Sequence, residues 1–227
     1  MFSMEAFHKE YETDISALKI RGRNFNFFVP KTLDRFLDPE NMFHDFPLWS
    51  KIWEASIILA DHLAGIDAEP QKRFLEIGSG LGVAGIIASS FGHHVTMTEY
   101  NTDALNFAHA NAENNLSSAE SSLEITKLDW NKPQLEGSFD YIMGSEVIYK
   151  ERAFEPMLRL FKTFLKPDGE VVLAERVRKT TLEFFRQMGD FFEIKAQKKI
   201  LRSDEGEIRV MLCRMRFLNK MEPGQVT

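Results

Sequence analysis

The chain has 227 residues, 44% of them hydrophobic and 27% charged, with a formal net charge of −6. That balance suits a folded globular domain rather than a disordered one. With no basic half and no Lys/Arg tract, it gives generic nucleic-acid binding no electrostatic driving force, and no nucleic-acid partner is expected. The single cysteine, Cys213, excludes a disulfide framework and a Cys-based zinc site, and points to a reducing compartment, expected to be the cytoplasm.

The N-terminal stretch MFSMEAFHKEYETD is mixed and acidic, without the basic and apolar regions of a signal peptide. The apolar runs fall well short of the roughly 20 residues of a membrane span, so no membrane partner is expected. ALKIRGRNFNFFVP suits a strand or hairpin, and IWEASIILADHLAG (52–65) an amphipathic helix; both are expected to cap the first half of a sheet. Residues 1–72 thus read as an N-terminal cap of the same domain, 73–218 as its core, and NKMEPGQVT (219–227) as a tail.

From residue 73, apolar runs alternate with helical patterns. RFLEI (73–77) is a strand stopped by glycines and followed by a helix-like LGVAGIIASSFG. HHVTMTE (93–99) is a second strand, and NTDALNFAHANAENN (101–115) a helix opened by the cap residues Asn101 and Thr102. LEITKL (123–128) and FDYIMG (139–144) are further strands, and RAFEPMLRLFKTFL (152–165) is a helix with apolar residues three and four apart. KPDGE (166–170) reads as a turn, EVVLAE (170–175) as a strand and TTLEFFRQMG (180–189) as a helix. The chain closes with strand-like FFEIKAQKKI (191–200) and EIRVMLCRMRF (207–217) around a hairpin signal, SDEG (203–206). Such alternation predicts an α/β fold: a doubly wound, mostly parallel sheet with helices on both faces and an antiparallel strand at the C-terminal end.

FLEIGSGLGVAGI carries the strongest local signal. Glycines between a strand and a helix let the backbone turn tightly and approach a ligand at the helix N-terminus. Two cofactors compete for the loop. Gly80, Gly82 and Gly85 satisfy G-x-G-x-x-G, with Glu99 about where a dinucleotide's ribose-binding acid is expected. Glu76, Gly78, Gly80 and Gly82 instead read E-x-G-x-G-x-G, which suits S-adenosylmethionine (AdoMet). Glu76 then faces the cofactor's ammonium, glycine amides its carboxylate, and Glu99 its ribose hydroxyls. AdoMet is favoured because the glycine strand begins late in the chain and the closing strand pair is atypical of a dehydrogenase. In addition, LDW (128–130) offers Asp129 to an adenine amine and Trp130 as a stacking surface. His93 and His94 are adjacent and point to opposite faces of a strand, so no metal is expected.

With these residues assembled, the chain resembles the seven-strand class I AdoMet-dependent methyltransferases, FLKPDGEVVLAE being typical of their Rossmann-like fold. More narrowly, it resembles the protein-lysine methyltransferase family that modifies chaperones and AAA-type ATPases, through IWEA, LEIGSGLG, KLDW and GSEVIY. The resemblance implies that Trp53, Gly78, Ser79, Gly80, Glu99, Trp130 and Ser145 contact the cofactor, while Glu146 and Tyr149 stand at the acceptor amine. It also implies a protein substrate, with S-adenosylhomocysteine (AdoHcy) as product. Glutamate stands at 146 where the family has aspartate, and serine at 145 where it has alanine. The longer side chain moves the carboxylate by about one bond length and leaves a small-molecule acceptor open. An NAD-dependent reductase using GLGVAG and a non-catalytic AdoMet-fold scaffold are the rival readings, and the oligomeric state is left open.

Overall fold

The structure, a computed structural model, describes residues 2–37, 46–117, 122–203 and 206–218. The tail at 219–227 and the hairpin residues Asp204 and Glu205 lie outside the described residues. After helix α1 (Met4–Glu10), β1 (Thr13–Ile20) and β2 (Arg23–Pro30) form a separate antiparallel hairpin. Its two-residue turn places Arg21 at φ 45° and Gly22 at φ 86°, the left-handed pair that suits the twist of a tight hairpin.

The core follows as α2 (Glu54–Leu63), β3 (Arg73–Ile77), α3 (Val83–Ser90), β4 (His94–Glu99), α4 (Thr102–Asn115), β5 (Leu123–Lys127) and β6 (Phe139–Ser145). Then come α5 (Phe154–Phe164), β7 (Leu165–Arg176), α6 (Lys179–Met188), β8 (Phe192–Ser203) and β9 (Gly206–Phe217). These strands make one seven-stranded sheet in the order β5-β4-β3-β6-β7-β9-β8. The first five pair in parallel, and β9 is antiparallel to both β7 and β8. The expected sheet is therefore present, with β9 inserted between β7 and β8.

Alternation along the strands sorts side chains into two cores. Phe74, Met143, Val172, Ala174, Val210 and Leu212 pack with α2, α3 and α4. Leu75, Ile77, Ile142, Val171, Leu173, Cys213 and Met215 pack with α5 and α6 on the other face. Cys213 is fully buried, and desolvation pushes its thiol up to about 12, as befits a side chain used for packing. His93 is equally a core residue, its ring against Phe74 and its Nε2 3.0 Å from the Leu63 carbonyl oxygen.

Two expectations are corrected. KPDGE is no turn between elements: β7 begins at Leu165, directly after α5, and runs through these residues. The ladder absorbs them as an irregularity, with Phe139 opposite Leu165 but Tyr141 opposite Glu170. Pro167 and Gly169 are tolerated there because a bulge asks for no regular hydrogen bonding. The N-terminal segment also divides its cover. The β1–β2 hairpin lies on α4, whereas α2 packs beside α3 and across β6, β7 and β9, beyond the first half of the sheet.

Asparagines on α4 fasten the hairpin. Buried Asn111 accepts from the Phe28 N–H (2.6 Å) and donates to the Phe28 and Leu81 carbonyls (3.2 and 3.0 Å), so one side chain joins β2 to the exit of the glycine loop. Asn114 and Asn115 donate to the Asn26 carbonyl, each at 2.8 Å. Asn111→Ala leaves three backbone groups without their partner, and is expected to lower unfolding free energy by about 2–4 kcal/mol, read from the urea midpoint at unchanged slope. A loss below about 0.5 kcal/mol would show that the hairpin does not depend on this clasp.

Candidate active site

The chain adds β4 and β5 on one side of β3 and then returns to place β6 on the other, so the strand order reverses at β3. The carboxyl ends of β3 and β6 flank this switch point, the place where open α/β sheets take their ligands in a crevice. Its floor is the glycine loop. Gly78 and Gly80 adopt φ of 61° and 54°, conformations that only glycine holds without strain. A Cβ on Gly78 would also lie 3.1 Å from Val147 and 3.3 Å from the Trp130 ring. Ser79 N–H bonds to the Thr98 carbonyl (3.0 Å), and Gly80 N–H donates to Glu99 Oε2 (3.0 Å). Glu99 Oε1 accepts from the Tyr100 and Asn101 N–H groups at 2.7 and 3.0 Å. The Glu99 carboxylate thus ties the loop to the start of α4, and Oε2, which takes a single N–H, keeps lone-pair capacity for a hydroxyl donor.

Glu76 occupies the interior beneath this loop, only 2% exposed, and its Oε2 has no hydrogen-bond partner. A Cβ on Gly85 would collide with that oxygen, which explains a glycine inside α3. Burial, and then the charge of Glu99, raise the Glu76 carboxyl to about 8. It therefore holds its proton at pH 7, while its unfolded counterpart, near 4.5, has lost it. The native state binds more protons between these values, so this group lowers stability as pH rises from 4.5 towards 8. A ligand ammonium at Glu76 would favour ionisation. AdoHcy binding at pH 7 is accordingly expected to release about one proton, measured by calorimetry in buffers of different ionisation enthalpy, and Glu76→Gln to abolish the release. An unchanged proton count in the variant would contradict this role.

The walls come from separated segments. Leu128 N–H bonds to the Glu99 carbonyl (3.0 Å) and carries Asp129 and Trp130 to the crevice, with the Trp130 ring over Gly78. Asp129 accepts from Asn131 N–H and Nδ2 (2.8 and 3.0 Å), bonds that hold its carboxylate below the usual range. Ser145 ends β6 beside Ala174. Trp53 sits at the N-cap of α2, donating Nε1–H to the Leu48 carbonyl (2.6 Å), with the Arg176 guanidinium 5.4 Å from its ring. The Trp49 backbone lies over Gly80, 3.5 Å from where a Cβ would stand, and its ring packs on Phe36 and Phe107.

Glu146 holds a left-handed φ of 52° immediately after β6. Its N–H bonds to the Ala174 carbonyl (3.0 Å) and its Oε1 accepts from Arg176 N–H (2.8 Å). Its Oε2 pairs with the Arg178 guanidinium. Beneath it, fully buried Glu175 accepts from the Val147 and Ile148 N–H groups at 2.8 and 3.3 Å, and its Oε2 has no hydrogen-bond partner. Burial and the charge of Glu146 push the Glu175 carboxyl well above the usual carboxylate range, towards its neutral form. Tyr149 stands at the rim, 47% exposed, its phenol raised by partial burial and then by the charge of Glu99.

Trp49, Glu175, Arg176 and Arg178 were not marked by sequence patterns. Of these, Glu175 carries a sequence signal, as the acid that ends the apolar run EVVLAE.

The glycine cradle and the unpartnered oxygens of Glu76 and Ser79 at its base fit AdoMet, with a carboxylate for its ammonium and another, Glu99, for its ribose. The order of the sheet and its antiparallel C-terminal pair define a Rossmann-like fold of the methyltransferase kind. A family model described as lysine methyltransferase matches residues 44–191, well over half the chain, and the chain belongs to that family. It is 30% identical over 135 residues to the zebrafish (Danio rerio) protein N-lysine methyltransferase METTL21A, covering 56% of this chain and 60% of that one. The Xenopus tropicalis EEF1A lysine methyltransferase 3 is 24% identical over 165 residues, covering 70% and 71%. The match to the zebrafish relative thus spans about three fifths of that protein's length. Among solved structures, P. horikoshii TYW2 in complex with MeSAdo superposes with a TM-score of 0.57 at 13% identity, covering 89% of this chain and 71% of that one, which speaks for the fold.

Proposed function

We propose that this protein is an AdoMet-dependent N-methyltransferase acting on a lysine side chain of a protein. The observation that carries the reading is the convergence at one switch point of a glycine loop tied to Glu99 with a separate acidic–aromatic pair, Glu146 and Tyr149, on the loop after β6. When bound, AdoMet supplies a methyl carbon on a sulfonium, so that the N–C bond forms in line as the S–C bond breaks and a neutral thioether leaves.

We assign Glu76, Gly78, Ser79 and Gly80 to the amino-acid end of the cofactor. Glu99 is assigned to the ribose, Asp129 and Trp130 to the adenine, and Trp53 and Ser145 to the walls of the same crevice. Glu146 orients the acceptor nitrogen, and Tyr149 walls its channel. The half-exposed position of Tyr149 supports a long side chain reaching in from a macromolecule over an enclosed small metabolite. The inert buried thiol of Cys213 supports a reducing, cytoplasmic setting. Among the described residues no helix is long and apolar enough to cross a membrane.

Calorimetry with AdoHcy and with NADH tests the cofactor. AdoHcy is expected to bind at micromolar concentration and NADH not at all, whereas binding of NADH alone would overturn the reading.

A further inference from the structure

A cluster of charges lies on the acceptor side and is drawn from four parts of the chain. Glu146 comes from the loop after β6, Glu175 and Arg176 from the end of β7, Arg178 from the N-cap of α6, and Glu54 from the first turn of α2. Arg176 is occupied by Glu54, Nη2 to Oε2 at 2.5 Å. Glu175 is fully buried, and burial together with the charge of Glu146 favours its neutral form. Among the described residues the Glu146 carboxylate, its side chain 9% exposed, has its ion pair with Arg178. Glu151, Lys179, Glu183 and Arg186, each at least partly exposed, line the neighbouring groove in equal numbers of each sign, and Lys150 and Arg152 lie on the rim near Tyr149; solvent screens all of these.

A carboxylate at the acceptor position poses a chemical problem. The reacting lysine must lose its proton, from a reference pKa near 10.4, yet an unbalanced carboxylate beside it stabilises the ammonium. We propose that Arg178 is a positioning residue for methyl transfer. It fixes the Glu146 side chain and cancels its charge, so that Glu146 grips the acceptor as a neutral amine. The proposal rests on the methyltransferase reading above. Among the described residues, Arg176 N–H and Arg178 take two of the roughly four lone-pair sites of the Glu146 carboxylate, so an amine N–H still finds an acceptor. The ammonium gives its proton to solvent at the open rim, the neutral amine takes the methyl group, and the product leaves as a methylammonium. The same pairing gives a reason for glutamate at this position: the longer side chain spans from the left-handed residue after β6 to the strand–helix link after β7.

The test compares wild type, Arg178→Met and Arg178→Lys. The readout is the rate of labelled methyl transfer from AdoMet into the protein band that wild type labels in a cell lysate, between pH 7 and 10, with AdoHcy affinity measured calorimetrically in parallel. Arg178→Met is expected to lose about tenfold at neutral pH and to recover as pH rises, its limb displaced upward by about one pH unit. Arg178→Lys keeps the charge and should stay within about threefold of wild type, and AdoHcy affinity should change less than about threefold in both. A loss of the same size at every pH, no loss at all, or collapse of AdoHcy binding would overturn the role of Arg178. Wild type that binds AdoHcy but labels no protein would instead reject the enzymatic reading on which it rests.

Discussion

Replacing Glu99 by alanine is expected to weaken AdoHcy binding by at least about a hundredfold while leaving the fold intact. The carboxylate sits at the end of β4 and takes N–H groups from Gly80, Tyr100 and Asn101, so it both shapes the glycine loop and faces the position assigned to the ribose. Hydrogen bonds to a charged acceptor are worth about 1.5–3 kcal/mol each, and losing one from a ribose hydroxyl together with the one that holds Gly80 N–H in the loop amounts to about 3–6 kcal/mol. At about 1.4 kcal/mol per decade, that is two to four orders of magnitude in affinity. The residue is only partly buried, so the melting temperature should move by a few degrees at most. Glu99→Gln keeps one acceptor oxygen and should fall between the two. Calorimetric affinity within about threefold of wild type in Glu99→Ala would remove Glu99 from the cofactor site.

The second large effect concerns Glu146. Glu146→Ala is expected to lower methyl transfer by at least about a hundredfold with AdoHcy affinity almost unchanged, because it removes alignment of the acceptor and not a cofactor contact. The alanine still occupies a left-handed conformation at φ 52°, so the loop path need not change. Glu146→Asp is the sharper variant. Aspartate tolerates the left-handed region better than glutamate does, so backbone strain falls, yet the shorter side chain loses the reach to Arg178. A drop of about tenfold in rate is expected, with its pH dependence moving as in Arg178→Met. Full turnover in Glu146→Ala would show that its ion pair with Arg178 is purely structural.

How much of this was legible beforehand depended on the range of the interaction. RFLEI, HHVTMTE and FDYIMG announced themselves because strand side chains alternate between two cores, and LGVAGIIASSFG because glycines mark its start. Local cap chemistry was equally visible, as Asn101 accepts from Ala104 N–H at 3.0 Å. KPDGE misled because turn residues also suit a bulge, and only the pairing partner distinguishes the two. The side cover by α2 was out of reach for a similar reason, since an amphipathic stripe states that a face is buried but not against which strands. In the site, Glu76, Gly78, Gly80 and Glu99 fell within one strand–loop–helix unit and its neighbour, where spacing carries information. The tie from Glu146 to Arg178 crosses to the far end of the next parallel strand, and no periodicity in the sequence encodes such a pairing.

The central claim is that this chain moves a methyl group from AdoMet to a protein lysine. Mass spectrometry of lysate proteins after incubation with isotopically labelled AdoMet and the purified protein tests it most directly. The account predicts label on the side-chain nitrogen of lysine in a discrete protein, absent when Glu99→Ala replaces wild type. Label confined to small molecules, or to a residue other than lysine, would contradict it.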